Sequence, residues 1–240
     1  MIEYRTFDTL FSIGPFSVKA WGLMAAIGFI VALFFILQEA KRRKIDSEKI
    51  YSIALLILVG GLIGSRIGWI LETGTTNFVE MIKIWQGGVV WFGALIGGLI
   101  AACIYIKVKK LNLWKYLDIF AIGLPLGMAI GRIGCYLIGD HVGKATALPW
   151  AISLNGLTHP IPLYEIAVLV PLFFVIFSLR KKKLFDGALF SIYIIGYSLA
   201  RFWLDFLRTD PTYAGLTVAQ YASVVLFAIF GLLVYSRKKK

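Results

Sequence analysis

The stretch LDIFAIGLPLGMAIGRIGCYLI at 117–138 decides the fold class. It is apolar for long enough that a helix rising about 1.5 Å per residue crosses a hydrocarbon core of about 30 Å. Asp118 lies near one end and a single arginine, Arg132, about two turns from the other. Arg66 and Arg201 occupy comparable apolar stretches. A central arginine costs roughly 2.5–3.5 kcal/mol to place in lipid, so three cost about 8–10 kcal/mol unless each faces protein, water or an anion. Anchoring does not require them, so they mark where function is sought.

Working outward, similar stretches run at about 20–37, 51–71, 88–106, 162–179, 187–207 and 216–235. The reading predicts an all-α, polytopic membrane protein with seven transmembrane helices. The stretch at 162–179 is the shortest and contains Pro171, while 88–106 opens on glycines that permit a re-entrant start. With 59% hydrophobic residues, 16% charged residues and a mean hydropathy of +0.82, the 240-residue chain falls outside the soluble range.

The net charge of +12 is unevenly placed. Seventeen of the 25 basic residues form four clusters, around Lys41–Lys49, Lys107–Lys115, Arg180–Lys183 and Arg237–Lys240, following spans one, three, five and seven. The positive-inside rule then predicts an outer N-terminus and a cytoplasmic C-terminus. The charge reports topology and anionic inner-leaflet lipid, and excludes a nucleic-acid partner. Met1 to Ala20 has neither a basic n-region nor a cleavage site and reads as an outer-face lead into span one. Cys103 and Cys135 fall near opposite faces, so they do not pair.

Residues 1–240 read as one integral-membrane domain without a soluble domain. Its longest outer connection, at about 139–160, holds both histidines, His141 and His159. Glycines recur every fourth residue at Gly60, Gly64 and Gly68, at Gly93 and Gly97, and at Gly123, Gly127 and Gly131, a spacing for close helix packing.

Spans two, four and six all run outward, and each carries its arginine six or seven residues before the outer boundary, about 10 Å below it. Arg66, Arg132 and Arg201 are therefore expected at similar depth. A guanidinium is always charged and forks onto phosphate oxygens, so such a cluster suits an anionic lipid headgroup. Internal pairing is the competing account: Asp205, between Arg201 and Arg208 at helical spacing, can neutralise both. Arg132 has no acidic residue within helical reach in its own span; Glu165 or a lipid phosphate must serve it. Glu165 then reads either as a structural partner of an arginine or as an orienting or proton-accepting group. Two histidines without ligand-spaced Cys or carboxylate pairs predict no metal, and no cofactor is implied. Cys135 reads as a packed small residue more readily than as a nucleophile.

The string Gly131-Arg132-Ile133-Gly134 through Gly139-Asp140 and Gly143, followed by His159-Pro160 and Leu163-Tyr164-Glu165, resembles the bacterial prolipoprotein diacylglyceryl transferase family. Trp21-Gly22-Leu23-Met24, Gly64 to Gly68, Trp85 with Gly87-Gly88, and Tyr197, Arg201 and Arg208 extend the resemblance along nearly the whole chain, in order. It implies a multi-pass enzyme of the bacterial cytoplasmic (inner) membrane. Such an enzyme moves the diacylglyceryl group of phosphatidylglycerol to the lipobox cysteine thiol of preprolipoprotein signal peptides, forming a thioether and releasing glycerol phosphate. By the same resemblance Arg132 and Arg201 are the principal phosphatidylglycerol contacts, with Arg66 and Arg208 supporting; Tyr164 is a further candidate contact, and from their positions Asp140, His141 and Glu165 join the two arginines as catalytic candidates.

The chain departs from the family pattern near the chemistry. Phe92-Gly93-Ala94 stands where the family has histidine-glycine-glycine, Cys135 and Ile138 replace asparagines, Asp140 replaces glutamate, and Pro162 replaces glutamine. Either Asp140, His141 or His159 takes over thiol activation, or the arginines and an interfacial field lower the thiol pKa without a dedicated base. Two other readings are a divergent paralogue serving another acceptor and a non-catalytic lipid-binding or transport protein. Intramembrane charges confined to the outer half favour an enzyme site over a conduit.

Overall fold

In lipid every backbone N–H and C=O has to be satisfied within the segment, so apolar runs of bilayer length become helices. The structure, a computed structural model, describes residues 2–13, 16–75, 77, 90–153 and 156–238. Among these are seven α-helices: α1 (Ala20–Arg42), α2 (Ser47–Thr73), α3 (Trp91–Val108), α4 (Leu113–Ile138), α5 (Ile161–Leu179), α6 (Ala188–Leu204) and α7 (Val218–Lys238). Six are long and apolar enough to cross a membrane; the apolar run of α3, Phe92–Val108, is shorter. This is the architecture of a polytopic helical membrane protein. The expected glycine-led opening of span three, with Trp85 and Gly87-Gly88, lies outside the described residues. Pro171 falls inside α5, which continues through it.

The chain forms two compact units, Met1–Ile36 with Leu117–Lys240, and Leu37–Tyr116. In the second, Asp46 caps α2 by accepting from the Glu48 N–H at 2.9 Å, and Gly74 ends it in the left-handed region. The glycine faces of α2 and α3 meet: a Cβ on Gly60 would lie 2.7 Å from both the Gly97 carbonyl oxygen and the Ala101 Cβ. The four-residue spacing is thus a packing seam in which backbones touch. Glu39 holds Arg42 and Arg43 at 2.5 and 2.6 Å. Arg66 is buried, its guanidinium 4.0 Å from the centre of the Trp69 ring.

In the first unit a second seam joins α1 to α4, where a Cβ on Gly127 would meet the Gly28 carbonyl oxygen at 2.8 Å. Ala121, Ile122, Ile176, Leu189 and Tyr193 fill the core among α4, α5 and α6. The buried Asp118 carboxylate of α4 accepts from the Gly187 and Phe190 N–H groups, both at 2.9 Å, capping the start of α6. Ile30, Phe34, Phe174 and Leu232 remain exposed on the helices, as lipid-facing side chains would.

At the other end of this unit, short pairings tie the connections together. Strand β1 (Ile2–Glu3) pairs in parallel with β4 (Ile152–Ser153), which pairs antiparallel with β5 (Leu157–Thr158). β2 (Thr9–Ile13) and β3 (Phe16–Lys19) make a hairpin, as do β6 (Thr212–Tyr213) and β7 (Leu216–Thr217). Phe7 N–H donates to the Leu137 carbonyl at 2.7 Å, and Gly143 bridges to Arg208. The C-termini of α4 and α6 and the segment before α5 therefore share one end.

Candidate active site

Helix α4 stops in a Schellman-type cap. Gly139 adopts φ 73°, its N–H donates to the Tyr136 carbonyl at 3.1 Å, and the Asp140 N–H donates to the Cys135 carbonyl at 3.0 Å. The chain turns sharply and delivers Asp140 and His141 just beyond the helix, with Arg132 about two turns back. The stretch from His159 to Glu165 completes the approach: Pro160 leads into α5, and Glu165 falls in its second turn. Arg201 lies in the last turn of α6, which tightens into a 3-10 turn at Asp205–Leu207.

These elements converge on the Glu165 carboxylate, which is 2% exposed. Arg201 Nη1 donates to Glu165 Oε1 at 2.5 Å, and Arg132 Nε forms a close ion pair with Oε2. Arg201 Nη2 also lies 3.0 Å from Asp205 Oδ1. One buried carboxylate thus holds two guanidinium groups from different helices, and a second carboxylate extends the chain of charges. The expectation that Arg132 and Arg201 converge is met within this unit. Glu165 proves to be the partner of both. Arg66 belongs to the other unit, in the environment described there.

Asp205 joins Arg201 to Arg208 as the helical spacing anticipated, at 3.0 and 3.6 Å, and accepts a hydrogen bond from the Thr217 hydroxyl. Arg208 is held more closely by Asp210, with Nε to Oδ2 at 2.7 Å and Nη2 to Oδ1 at 3.3 Å. That bonding keeps the Asp210 carboxyl below the usual carboxylate range.

Arg132 Nη1 reaches the Cys135 sulfur at 3.8 Å, and Tyr197 of α6 lies near the same guanidinium. Cys135 is buried and, like Cys103, is a free thiol. Tyr197, given no role from the sequence, and Asp205, expected as the partner of Arg201 and Arg208, both join the site. The i, i+4 step from Tyr197 to Arg201 and again to Asp205 was the available signal, since it puts all three on one face of α6.

His141 has φ 59°, and its N–H donates to Asp140 Oδ1 at 2.8 Å. Its Nδ1 lies 2.8 Å from Asp140 Oδ2, out of line for a straight hydrogen bond. Burial lowers the imidazole pKa, assisted by Arg208 and Arg132 and opposed by Asp140 and Glu165. His159 instead faces Tyr164, with Nδ1 3.1 Å from the hydroxyl, which also accepts from Trp150 Nε1 at 2.8 Å. Tyr164 is therefore bound into the connection beside the site. Phe92, at the start of α3, is exposed.

The crevice beside Glu165 and Arg201, lined by Val168, Leu169, Tyr197, Ala200 and Leu204, is too narrow for a water molecule. The charges are matched to one another in a tight, apolar-walled setting, where an ion pair is strong and a lone charge costly.

A family model described as prolipoprotein diacylglyceryl transferase matches residues 8–236. Three proteins named phosphatidylglycerol–prolipoprotein diacylglyceryl transferase are similar throughout. That of Clostridioides difficile is 36% identical over 243 residues, covering 98% of this chain and 97% of its own length. That of Listeria innocua is 33% identical over 245 residues, covering 95% and 88%, and that of Trichormus variabilis 32% over 255 residues, covering 96% and 90%. The similarity runs through both units and takes in the helices bearing Arg132, Glu165 and Arg201, and on it the chain belongs to the prolipoprotein diacylglyceryl transferase family.

Proposed function

We propose that this protein transfers the diacylglyceryl group of phosphatidylglycerol to the lipobox cysteine thiol of preprolipoproteins. The observation that carries the reading is the pairing of Arg132 and Arg201 on Glu165, set beside family membership. Two guanidinium groups present ten N–H donors, far more than two carboxylate oxygens satisfy, so the pair is suited to a phosphate that arrives with further oxygens. All of residues 1–240 serve this one activity, with seven spans, the N-terminus outside and the C-terminus in the cytoplasm of a bacterial inner membrane. The basic clusters support that orientation.

In this reading Arg132 and Arg201 grip the phosphate of phosphatidylglycerol, and Glu165, buried between them, fixes their forks. The thiol sulfur attacks the lipid's glyceryl carbon, forming the C–S bond as the C–O bond to phosphate breaks. The electron pair leaves on the phosphate oxygen, where the arginines stabilise the growing charge. His141 receives the thiol proton. An imidazole kept neutral by burial is a competent base. Asp140 is the orienting group. Tyr164, held by Trp150 and His159, stiffens the entry to α5 and so the position of Glu165.

The test follows labelled diacylglyceryl from phosphatidylglycerol to a lipobox peptide with purified protein and with Arg132→Ala. Thioether product from the unaltered protein alone is the expected result. No product, with phosphatidylglycerol still bound in an Arg132-dependent way, would favour a different acceptor.

A further inference from the structure

Arg208 carries an atom that the transfer step does not use. The residue is 7% exposed, and while Nε and Nη2 go to Asp210, the buried Nη1 has no hydrogen-bond partner among the described residues. An unsatisfied donor on a buried cation is expensive, and such atoms tend to serve a ligand. Arg208 lines a cleft of about 270 Å³, walled by Lys144, Thr209, Asp210, Thr212 and Thr217. The fold builds it deliberately: the Lys144 N–H donates to the Leu207 carbonyl at 2.7 Å, which sets the lysine next to Arg208. Gly143 permits that approach, since a Cβ there would lie 2.7 Å from the Leu207 oxygen.

The lining is mixed. Two cations offer donors, two carboxylates, Asp205 and Asp210, offer acceptors, and three threonine hydroxyls do either. A bare anion would meet as much repulsion as attraction. A small phosphate ester that also bears hydroxyls matches both halves. Asp205 connects the cleft to the catalytic pair, touching Arg201 at 3.0 Å and lining the cleft as well.

We propose that this cleft holds the phosphoglycerol group that departs from Arg132 and Arg201, with its phosphate beside the Lys144 and Arg208 cations and its hydroxyls on the Asp210 and threonine oxygens. The proposal rests on the transferase reading, which makes glycerol phosphate the product. Lipid headgroup and free ester share this chemistry, and the experiment separates them.

Binding of glycerol 1-phosphate and of inorganic phosphate to the purified protein is measured calorimetrically without acceptor peptide, for the unaltered chain, for the cleft variants Lys144→Gln and Thr212→Val, and for Arg132→Lys as a control. The phosphoglycerol should bind, inorganic phosphate about tenfold more weakly, and Lys144→Gln should weaken phosphoglycerol binding about tenfold. Product inhibition of transfer should weaken in parallel. Binding unchanged in both variants, or lost only in Arg132→Lys, overturns the proposal. A Lys144→Gln effect on the KM for phosphatidylglycerol in nanodiscs, with product inhibition unmoved, would give the cleft to the lipid headgroup and overturn the product role. Binding without any transfer would remove the transferase reading and leave a phosphoglycerol site; transfer without binding would do the reverse.

Discussion

Arg201 donates to Glu165 across 2.5 Å from a helix that begins well after the glutamate's own, and Glu165 is at the same time the counter-charge of Arg132. The carboxylate occupies donors that a substrate phosphate would use, so it both places the forks and competes for them. Glu165→Gln removes the competition and the compensation together. The expected outcome is tighter phosphatidylglycerol binding, about threefold, with kcat lower by about tenfold as the forks lose register. Thermal stability should also fall, since unpairing buried charge costs about 3–5 kcal/mol. Lipid titration, turnover and a melting curve on one preparation check all three; weaker lipid binding would show that Glu165 does not compete.

Lysine at position 132 or 201 keeps the charge and loses the fork. A point-charge role would survive the change, whereas bidentate holding of a phosphate in the transition state would not. Arg132→Lys and Arg201→Lys should each lower kcat/KM by about 100-fold or more, the scale for losing a group that stabilises developing charge. Steady-state transfer at saturating peptide measures it. Loss below about threefold in either variant would reduce that arginine to structure.

How much of this was legible beforehand follows from what is local. The helices were, because an apolar run of bilayer length permits little else, and their ends fell close to where the composition changes. The placing of Arg132 and Arg201 toward the ends of their helices was readable from the extent of each apolar run, and Asp205 between Arg201 and Arg208 from helical spacing. The sharing of Glu165 was not, since it depends on how α4, α5 and α6 lean together. Two-residue strands such as β4 and β6 are too short to show any alternation. The cleft at Arg208 arises from a bridge to Gly143, a pairing between residues far apart in the chain.

The glycine seam in the second unit gives a stability prediction independent of catalysis. At Gly97 an added Cβ would lie 2.9 Å from the Gly64 Cα, so a larger side chain forces α2 and α3 apart. Gly97→Leu should destabilise by about 1–3 kcal/mol, as overpacking does. Gly131→Ala on α4, where a Cβ meets nothing within 4 Å, should instead stabilise by about 0.5–1 kcal/mol, the scale of a helical glycine replaced by alanine. Denaturation in detergent compares the two; equal effects would show that the seam does not bear on stability.

The pH profile tests the base. His141 is held below the ordinary histidine value of about 6.5 by burial, with Arg208 and Arg132 pushing the same way and Asp140 and Glu165 pushing back. As a base it acts when unprotonated, so kcat/KM should rise with pH through that lowered value and be level by neutrality. The stability effect has the same sign: below the ordinary value the unfolded chain binds the proton first, so stability falls as pH drops toward the folded pKa and then levels off. Asp210, also lowered, adds stability that is present above the ordinary carboxylate value and lost as pH falls through its folded pKa. His141→Gln should cut kcat/KM by about 100-fold and abolish the limb just below pH 6.5, while His159→Gln should keep it. If the limb persists in His141→Gln and vanishes in His159→Gln, the proton goes to the histidine beside Tyr164 instead.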